Sequence, residues 1–314
     1  MITINLLTFN NEKTIIKTID SISCLSSKIQ VIDVGSTDQT EKICKNRKIS
    51  FSKYDGSNLS EARNILNQKS EDWILWIEPW EIITNQAQIK NLTKDKGIYS
   101  FYVINNGFIT KPVRLWEKSF NLKFKNFVYE SILEKGKVIS SVIIQSAGSS
   151  NIDVGQYLEC WNKKHPFSKE LIYYKACDYL ISKNYNEFKT TALDFIYKSK
   201  DNMPVTLIKY YLASVYFALD NNPNEAIRLL MDCLTVNPLI AEFWCLLGDI
   251  YLEIKQINKA YNFYQNALLL GKKRLKDDDW PIEISKYKIY PEKMMAICKT
   301  LQNNTQIYAG DNTK

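Results

Sequence analysis

Short apolar runs alternate with amphipathic stretches near the start of the chain. The apolar runs at residues 2–7, 29–34, 49–54 and 73–77 predict β-strands, and the stretches between them carry apolar residues at helical spacing. The last run is apolar throughout, which suits a strand buried on both faces of a parallel sheet. This alternation predicts a parallel, doubly wound α/β sheet.

Polar residues follow three of these predicted strands, where each strand ends. Residues 8–12 follow the first strand and residues 33–38 follow the second. Glu78 and Glu81 follow the fourth strand, and Pro79 disfavours helical backbone angles at Glu78, so this carboxylate should lie at the strand tip. Ligands of open α/β sheets bind beside the carboxyl ends of the strands. The pattern therefore predicts a polar site at this edge, with a solvated acidic turn as the alternative.

Four sequence blocks carry a resemblance to a known family. They are Thr8-Phe9-Asn10-Asn11-Glu12, Val31-Ile32-Asp33-Val34-Gly35-Ser36-Thr37-Asp38-Gln39-Thr40, Ser60-Glu61-Ala62-Arg63-Asn64 and Trp73-Ile74-Leu75-Trp76-Ile77-Glu78. In order and spacing they resemble the nucleotide-binding half of family-2 glycosyltransferases of the GT-A fold. The resemblance implies a GT-A domain over residues 1–150. It also implies transfer of a sugar, with inversion, from a nucleotide-diphosphate donor to a peptide, protein or glycan acceptor.

The same resemblance implies roles for individual residues. Thr8 and Asn10 would border the nucleotide, Asp33 would contact the base, and Arg63 would lie near the base or the diphosphate. Arginine suits phosphate because its planar fork can bond two oxygens at once. Turn and cap chemistry is the alternative for Asp33, and it is the favoured interpretation for Asp38. The implied nucleotide-sugar-binding residues are Thr8, Asn10, Glu12, Asp33, Arg63 and Glu78.

The chain departs from the family pattern at its metal-binding positions. The family's Asp-x-Asp element reads Glu78-Pro79-Trp80 here, and Trp80 cannot ligate a hard cation, which needs oxygen ligands. The later histidine of the family is Tyr129 here. Residues 112–116 resemble the family's Arg-Leu-Phe block.

These changes leave three explanations open. Arg63 and lysines would neutralise the leaving diphosphate without a metal, or Glu78 or Glu81 would hold Mn²⁺ or Mg²⁺ in an altered geometry. Alternatively, the domain is a degenerate transferase that serves as a protein-binding scaffold. If the domain is active, inversion needs a general base. Glu130 and Glu81 are the candidate catalytic residues, against the alternative that Glu130 is an exposed structural glutamate.

The second half of the chain has a helical pattern with a 34-residue period, which resembles tetratricopeptide repeats. The repeats fall at about 173–206, 207–240 and 241–274. Such repeats bind peptides or proteins on a concave surface, or mediate dimerisation; bracing of the first domain is the alternative. The residues at the signature offsets are Trp244, Leu247, Gly248, Tyr251, Ala260, Tyr264 and Ala267.

The sequence therefore predicts four regions. A glycosyltransferase-like domain at residues 1–150 is followed by a linker at 151–170, a repeat domain at 171–275, and a capping helix with a polar tail at 276–314.

Composition narrows the classes of function. The net charge of +7 is spread along the chain, so nucleic acid is not an expected partner. His165 is the single histidine, which argues against a His-based metal cluster or a Ser-His-Asp triad. The seven widely spaced cysteines suggest reduced thiols. No membrane-spanning run and no signal-peptide pattern is found, so a cytoplasmic location is expected.

Overall fold

The computed structural model describes residues 1–128, 130–146, 148–166, 168–200, 203–274, 278 and 280–311, with the side chains of 304–311 left out. Tyr129, the position of the family's histidine, lies outside the described residues. The chain divides into two compact units, Met1–Leu171 and Ile172–Lys314.

The first unit contains a sheet with helices between its strands. Its elements are β1 (Ile2–Thr8), α1 (Ile15–Ile22), β2 (Ile29–Asp33), α2 (Thr40–Asn46), β3 (Ser50–Lys53), α3 (Leu59–Lys69), β4 (Trp73–Trp76), β5 (Glu81–Ile83), α4 (Gln86–Leu92), β6 (Ile98–Asn105), β7 (Phe108–Thr110), β8 (Val113–Glu117), a 3-10 helix at Lys118–Phe120, β9 (Lys137–Ser146) and α5 (Val154–Lys164).

The sheet has a parallel half and a mixed half. Its strand order runs β7-β6-β8-β4-β1-β2-β3, and β9 pairs with β5 and β6. Strands β4, β1, β2 and β3 are parallel to one another. Beyond β4 the pairing is antiparallel except between β6 and β9. The predicted α/β class is confirmed, because the alternation of strand and helix produces the parallel half.

Burial in the core explains why the sequences of the first strands are apolar. Every residue of β1, β2 and β4 is buried. Several polar groups within or beside them form internal hydrogen bonds. The side-chain amide of Asn5 donates to the Ser70 hydroxyl at 2.9 Å, and the Trp76 indole donates to Asn67 Oδ1 at 2.7 Å. These bonds offset the cost of burying polar groups between the sheet and α3.

Residues 151–170, predicted as a linker, contain helix α5 and belong to the first unit. The helix begins after Asp153, whose carboxylate accepts the Gly155 N–H at 3.0 Å. Trp161 of α5 stacks on Phe127 with ring centroids 5.5 Å apart. The apolar residues of α5 thus bury a face against the sheet unit, although the neighbouring polar residues gave the stretch the composition of a linker.

The second unit is built of helices. Its elements are α6 (Lys169–Ile181), which starts just before the boundary, α7 (Tyr185–Lys198), α8 (Met203–Ala218), α9 (Pro223–Val236), α10 (Ala241–Glu253), α11 (Ile257–Gly271), the short extended segment β10 (Ile282–Glu283), a 3-10 helix at Ile284–Tyr287 and α12 (Ile289–Asp311).

Consecutive helices of this unit pack in pairs, α8 with α9 and α10 with α11. Gly248 shows why small residues are needed within a pair, because a Cβ there would lie 2.5 Å from the Tyr264 ring. Helix α12 continues to Asp311 within the region predicted as a capping helix with a polar tail, and residues 312–314 lie outside the described residues. The all-helical class predicted for this half is confirmed.

Two further features concern the whole chain. Across the described residues, no helix is both long and apolar enough to cross a membrane. All seven cysteines are free: Cys44, Cys233, Cys245 and Cys298 are buried, Cys160 and Cys177 are half-buried, and Cys24 is exposed.

Candidate active site at the carboxyl edge of the sheet

The sheet brings the predicted strand tips together. Thr8 at the end of β1 pairs with Asp33 at the end of β2, and Asp33 pairs in turn with Lys53 of β3. Strand β4 lies on the other side of β1, with Trp76 opposite Asn5. The polar segments that follow β1, β2 and β4 therefore share one edge of the sheet, as their places in the sequence predict.

Asn10 joins the segments that follow β1 and β2. It has a positive φ of 51°, which asparagine tolerates better than most residues. Its side-chain oxygen accepts the Thr37 N–H at 2.8 Å, and its own N–H donates to the Ser36 hydroxyl at 2.8 Å. Asn151 donates its side-chain amide to the Asn10 carbonyl at 2.7 Å. Asn10 thus organises the loops of this edge.

Glu12 and Asp38 tie the same two loops together further out. The Glu12 carboxylate accepts the Gln39 N–H at 3.0 Å, and the Glu12 N–H donates to Asp38 at 2.9 Å. Asp38 also accepts the Thr40 N–H at 2.9 Å, at the start of α2. These bonds are turn and cap interactions, and they hold both carboxylates to the backbone.

Thr8 and Asp33 lie beneath the loops. Thr8 is fully buried, and its hydroxyl donates to Asn11 Oδ1 at 2.9 Å. Asp33 is 1% exposed, and its carboxylate accepts the Gly35 and Ser36 N–H groups at 3.2 and 3.0 Å as well as the Ser36 hydroxyl. In this arrangement both side chains support the turn from below.

A cluster of five charged side chains lies at the tip of β4. Arg63 of α3 bonds both oxygens of Glu78, at 3.0 and 3.2 Å, and its Nε donates to Glu130 at 3.0 Å. Arg114 of β8 donates to Glu78 at 3.3 Å and to Glu81 at 2.6 Å. We call this group the charge cluster. It unites the predicted Arg63, Glu78, Glu81 and Glu130.

The charge cluster is shielded from water. Arg63 is 7% exposed and Glu81 is 2% exposed. The Arg63 guanidinium also lies over two aromatic rings, 4.8 Å from the centroid of Trp76 and 5.1 Å from that of Phe124. Arginine combines bidentate pairing with stacking on aromatic faces. Trp76 of β4 therefore supports the Arg63 guanidinium as well as filling the core.

The cluster shifts the pKa values of two of its carboxyl groups, those of Glu78 and Glu81, in opposite directions. Burial alone would raise the pKa of Glu78, but the charges of Arg63 and Arg114 outweigh it and hold that pKa below its usual range. Burial raises the pKa of Glu81 to about 6; the charge of Glu78 adds to this rise and Arg114 opposes it. Carboxyl groups with pKa values moved apart are frequent at functional sites.

The cluster does not fit a divalent cation. Both oxygens of Glu78 are taken by arginine N–H groups, and Glu81 accepts bonds from Arg114 and from the Glu78 N–H, at 2.9 Å. A cation held here would lie beside two guanidinium charges, which repel it. Among the described residues, no three His, Cys, Asp or Glu side chains are grouped so that they could hold a metal ion.

Arg114 is the member of the cluster that sequence reasoning did not assign to the site. Its only signal was its place in the block at residues 112–116. The antiparallel pairing of β8 with β4, in which Leu115 lies opposite Leu75, carries Arg114 to the tip of β4. Strand pairing over this sequence distance cannot be derived from local periodicity.

Two cavities flank α3. One, of about 370 Å³, lies at the start of the helix and is lined by residues including Asn58, Glu61, Lys125 and Trp161. The other, of about 350 Å³, is lined by residues of the second half of α3 and by the segment after β8. The first cavity thus lies beside the first turns of α3, the helix that carries Arg63.

No family model matches the sequence, and no curated protein matches it. Among solved structures, the chain is similar to glucosyl-3-phosphoglycerate synthase from Mycobacterium tuberculosis in complex with Mn²⁺ and uridine-diphosphate-glucose. The identity is 22%, the TM-score is 0.29, and the match covers 34% of this chain and 44% of that enzyme.

The chain is also similar to tetratricopeptide repeat proteins. The match to the first such domain of Spaghetti, bound to an HSP90 peptide, has 12% identity, a TM-score of 0.35, and covers 43% of this chain and 93% of that one. A tetratricopeptide repeat protein from Parabacteroides merdae matches with 16% identity, a TM-score of 0.38, and coverage of 48% and 52%. At these scores, the architecture rests on the strand order and helix pairs described above.

Proposed function

We propose that the first unit is a nucleotide-sugar-dependent glycosyltransferase that works by inversion and without a divalent cation. The observation that carries this proposal is the charge cluster, which sets two arginines at the strand edge where open α/β sheets bind ligands. The four sequence blocks that resemble family-2 glycosyltransferases surround the same edge.

The reaction needs positive charge at the leaving group. An acceptor lone pair forms a bond to the anomeric carbon while the bond from that carbon to the diphosphate oxygen breaks, and its electron pair leaves with the nucleoside diphosphate. Arg63 and Arg114 supply the charge that stabilises this leaving group. A guanidinium presents two parallel donors to phosphate oxygens, which suits this role.

The acceptor must also lose a proton. Glu81 is the better poised candidate base, because a pKa of about 6 lies close to the range in which a base is effective near neutral pH. Glu130 remains the second candidate, and its bond to Arg63 places it at the same group of charges. Because every carboxylate of the cluster already pairs with an arginine, the donor would have to replace at least one of these ion pairs.

The test is donor turnover by the full chain. The protein is incubated with UDP- and GDP-linked sugars, in EDTA or in Mn²⁺, and release of nucleoside diphosphate is followed. We expect release that EDTA does not abolish and that falls about tenfold or more in Arg63→Lys, since lysine loses the bidentate geometry. Arg47→Lys is the matched control, because Arg47 forms an exposed ion pair with Asp20. A strict requirement for Mn²⁺ would refute the metal-free step.

A second candidate is a non-catalytic scaffold, and one observation favours it. All three guanidinium nitrogens of Arg63 donate to Glu78 or Glu130, and Thr8 is fully buried. Such a closed cluster would serve stability alone. This candidate predicts that no nucleoside diphosphate changes the melting temperature of the protein and that no donor is consumed.

The helical unit would then select the acceptor. We propose that it binds a peptide or protein, in keeping with the resemblance of its sequence to tetratricopeptide repeats, and that it is the part of the chain through which a dimer would form. The free cysteines fit a reducing compartment such as the cytoplasm. Size-exclusion chromatography with light scattering measures the oligomeric state, and a monomer at micromolar concentration would exclude the dimer.

A further inference from the structure

A segment that follows the last repeat folds back onto the helical unit. In residues 280–287, Trp280 is 5% exposed and packs edge-on against Phe243 of α10, with ring centroids 4.8 Å apart and planes at 82°. It also meets Tyr210 of α8 at 5.9 Å and 79°. Its indole ring thus fills a slot between the first helices of two successive pairs.

The slot contains a buried carboxylate that accepts hydrogen bonds from this segment. Glu242 of α10 is 3% exposed. One of its oxygens accepts the N–H of Glu283 at 2.8 Å, and the other accepts the hydroxyl of Tyr287 at 2.8 Å. Burying a carboxylate is costly unless hydrogen bonds replace its water. Both side-chain bonds described for Glu242 come from the segment, so the slot is complementary to a chain that is extended at Ile282–Glu283 and forms a 3-10 helix at Ile284–Tyr287.

A clamp at the end of α11 fixes the entry of the segment. Arg274 donates to the carbonyl of Trp280, to the Tyr287 hydroxyl, and to Asp278 at 3.2 Å. Asp278 in turn accepts the Trp280 N–H at 2.7 Å. The segment is therefore held by its main chain as well as by its aromatic side chain. Main-chain bonds combined with side-chain pockets are the usual means by which proteins bind extended peptides.

We propose that the slot formed by Tyr210, Phe243 and Glu242 is a peptide-binding groove that residues 280–287 occupy as an internal ligand. An outside ligand is then a peptide with an aromatic residue followed, three positions later, by a backbone N–H for Glu242. It must displace the protein's own segment, which a short tether keeps at a high effective concentration. The inference rests on the proposed peptide binding by the helical unit and is independent of glycosyl transfer.

The test is binding of a labelled synthetic peptide with the sequence of residues 278–287 to the full chain, followed by fluorescence anisotropy. We expect wild-type protein to bind it weakly and Trp280→Ala to bind it about tenfold or more tightly, because loss of a buried tryptophan frees the slot. Glu242→Gln added to Trp280→Ala should reverse most of that gain. A peptide with alanine in place of its tryptophan should not bind.

The control variant is Trp161→Ala, which removes an equally buried tryptophan of the first unit that stacks on Phe127 and leaves Trp280 in place. Its peptide binding should equal that of the wild type. If Trp280→Ala does not fold, hydrogen exchange of the wild type serves instead, since millimolar peptide should speed exchange of the Glu283 amide. A folded Trp280→Ala without peptide binding, or an unchanged Glu283 amide, would overturn the proposal.

Discussion

The two units bury acidic side chains in opposite ways. In the first unit, Glu78, Glu81 and Glu130 are paired with Arg63 and Arg114 in the charge cluster. In the second unit, the side-chain bonds described for Glu242 come from a backbone N–H and a phenol hydroxyl rather than from a guanidinium group. Burial raises the pKa of Glu242, with these two bonds in partial opposition.

The difference separates two kinds of recognition. Paired guanidinium groups at a strand edge offer charge to an anion once a carboxylate moves aside. A buried carboxylate such as Glu242 repels an anion and accepts hydrogen bonds from neutral donors such as the N–H groups of a peptide. The first unit is therefore suited to a phosphate-bearing ligand, and the second is suited to a polypeptide.

The largest expected effect comes from Arg63→Ala. It leaves Glu130 and Glu78 buried with fewer partners, and breaking a buried ion pair costs about 3–5 kcal/mol of stability. Calorimetric unfolding of the full chain measures this loss. Arg47→Ala, at an exposed pair, should cost no more than about 1 kcal/mol. Adding Glu130→Gln to Arg63→Ala should recover part of the lost stability, because it removes the unpaired buried charge. No recovery would mean that an unpaired Glu130 does not destabilise the fold.

A smaller effect should follow pH through Glu81. Its pKa is raised from 4.5 to about 6, so the folded state holds the proton more tightly than the unfolded state does. The stabilisation is complete below about pH 4.5 and is lost as pH rises through about 6, a change of about 2 kcal/mol. The stability difference between wild type and Glu81→Gln should fall by that amount between pH 4.5 and 7. A constant difference would contradict the raised pKa.

The smallest effect concerns the second unit. Tyr287→Phe removes one of the two bonds to Glu242 together with the bond that Arg274 donates to the Tyr287 hydroxyl, and a hydrogen bond to a charged group contributes about 1.5–3 kcal/mol. We place this loss at the lower end, since Glu283 still donates to Glu242. Tyr197→Phe is the control, because Tyr197 is 89% exposed. Equal unfolding temperatures for the two variants would show that the Glu242 site adds nothing to stability.

Local sequence patterns predicted much of the fold. The runs at residues 2–7 and 29–34 correspond to β1 and β2 because a strand buried on both faces must be apolar along its length. Proline at position 79 predicts Glu78 at the strand tip, and β4 ends two residues before it, at Trp76. Helix α5 was missed because its few buried residues lie among polar ones, and composition outweighed their helical spacing.

The candidate site was only partly predictable. Glu78 and Glu81 stand out because they follow a strand, but their partner Arg114 arrives through antiparallel pairing of β8, which no local signal encodes. The slot around Glu242 was not predicted, since its ligands Glu283 and Tyr287 lie 41 and 45 residues away in the chain. Bonds between distant residues depend on tertiary packing, and a single sequence carries little trace of it.

The most direct test of the central claim is calorimetric titration of the full chain with UDP and with GDP, in the presence of EDTA. We predict that one of them binds and that Arg63→Lys weakens its affinity by about 1.5 kcal/mol or more, as for loss of a charge-assisted bond to phosphate. The account is contradicted if neither nucleotide binds the wild type, or if Arg63→Lys binds with unchanged affinity.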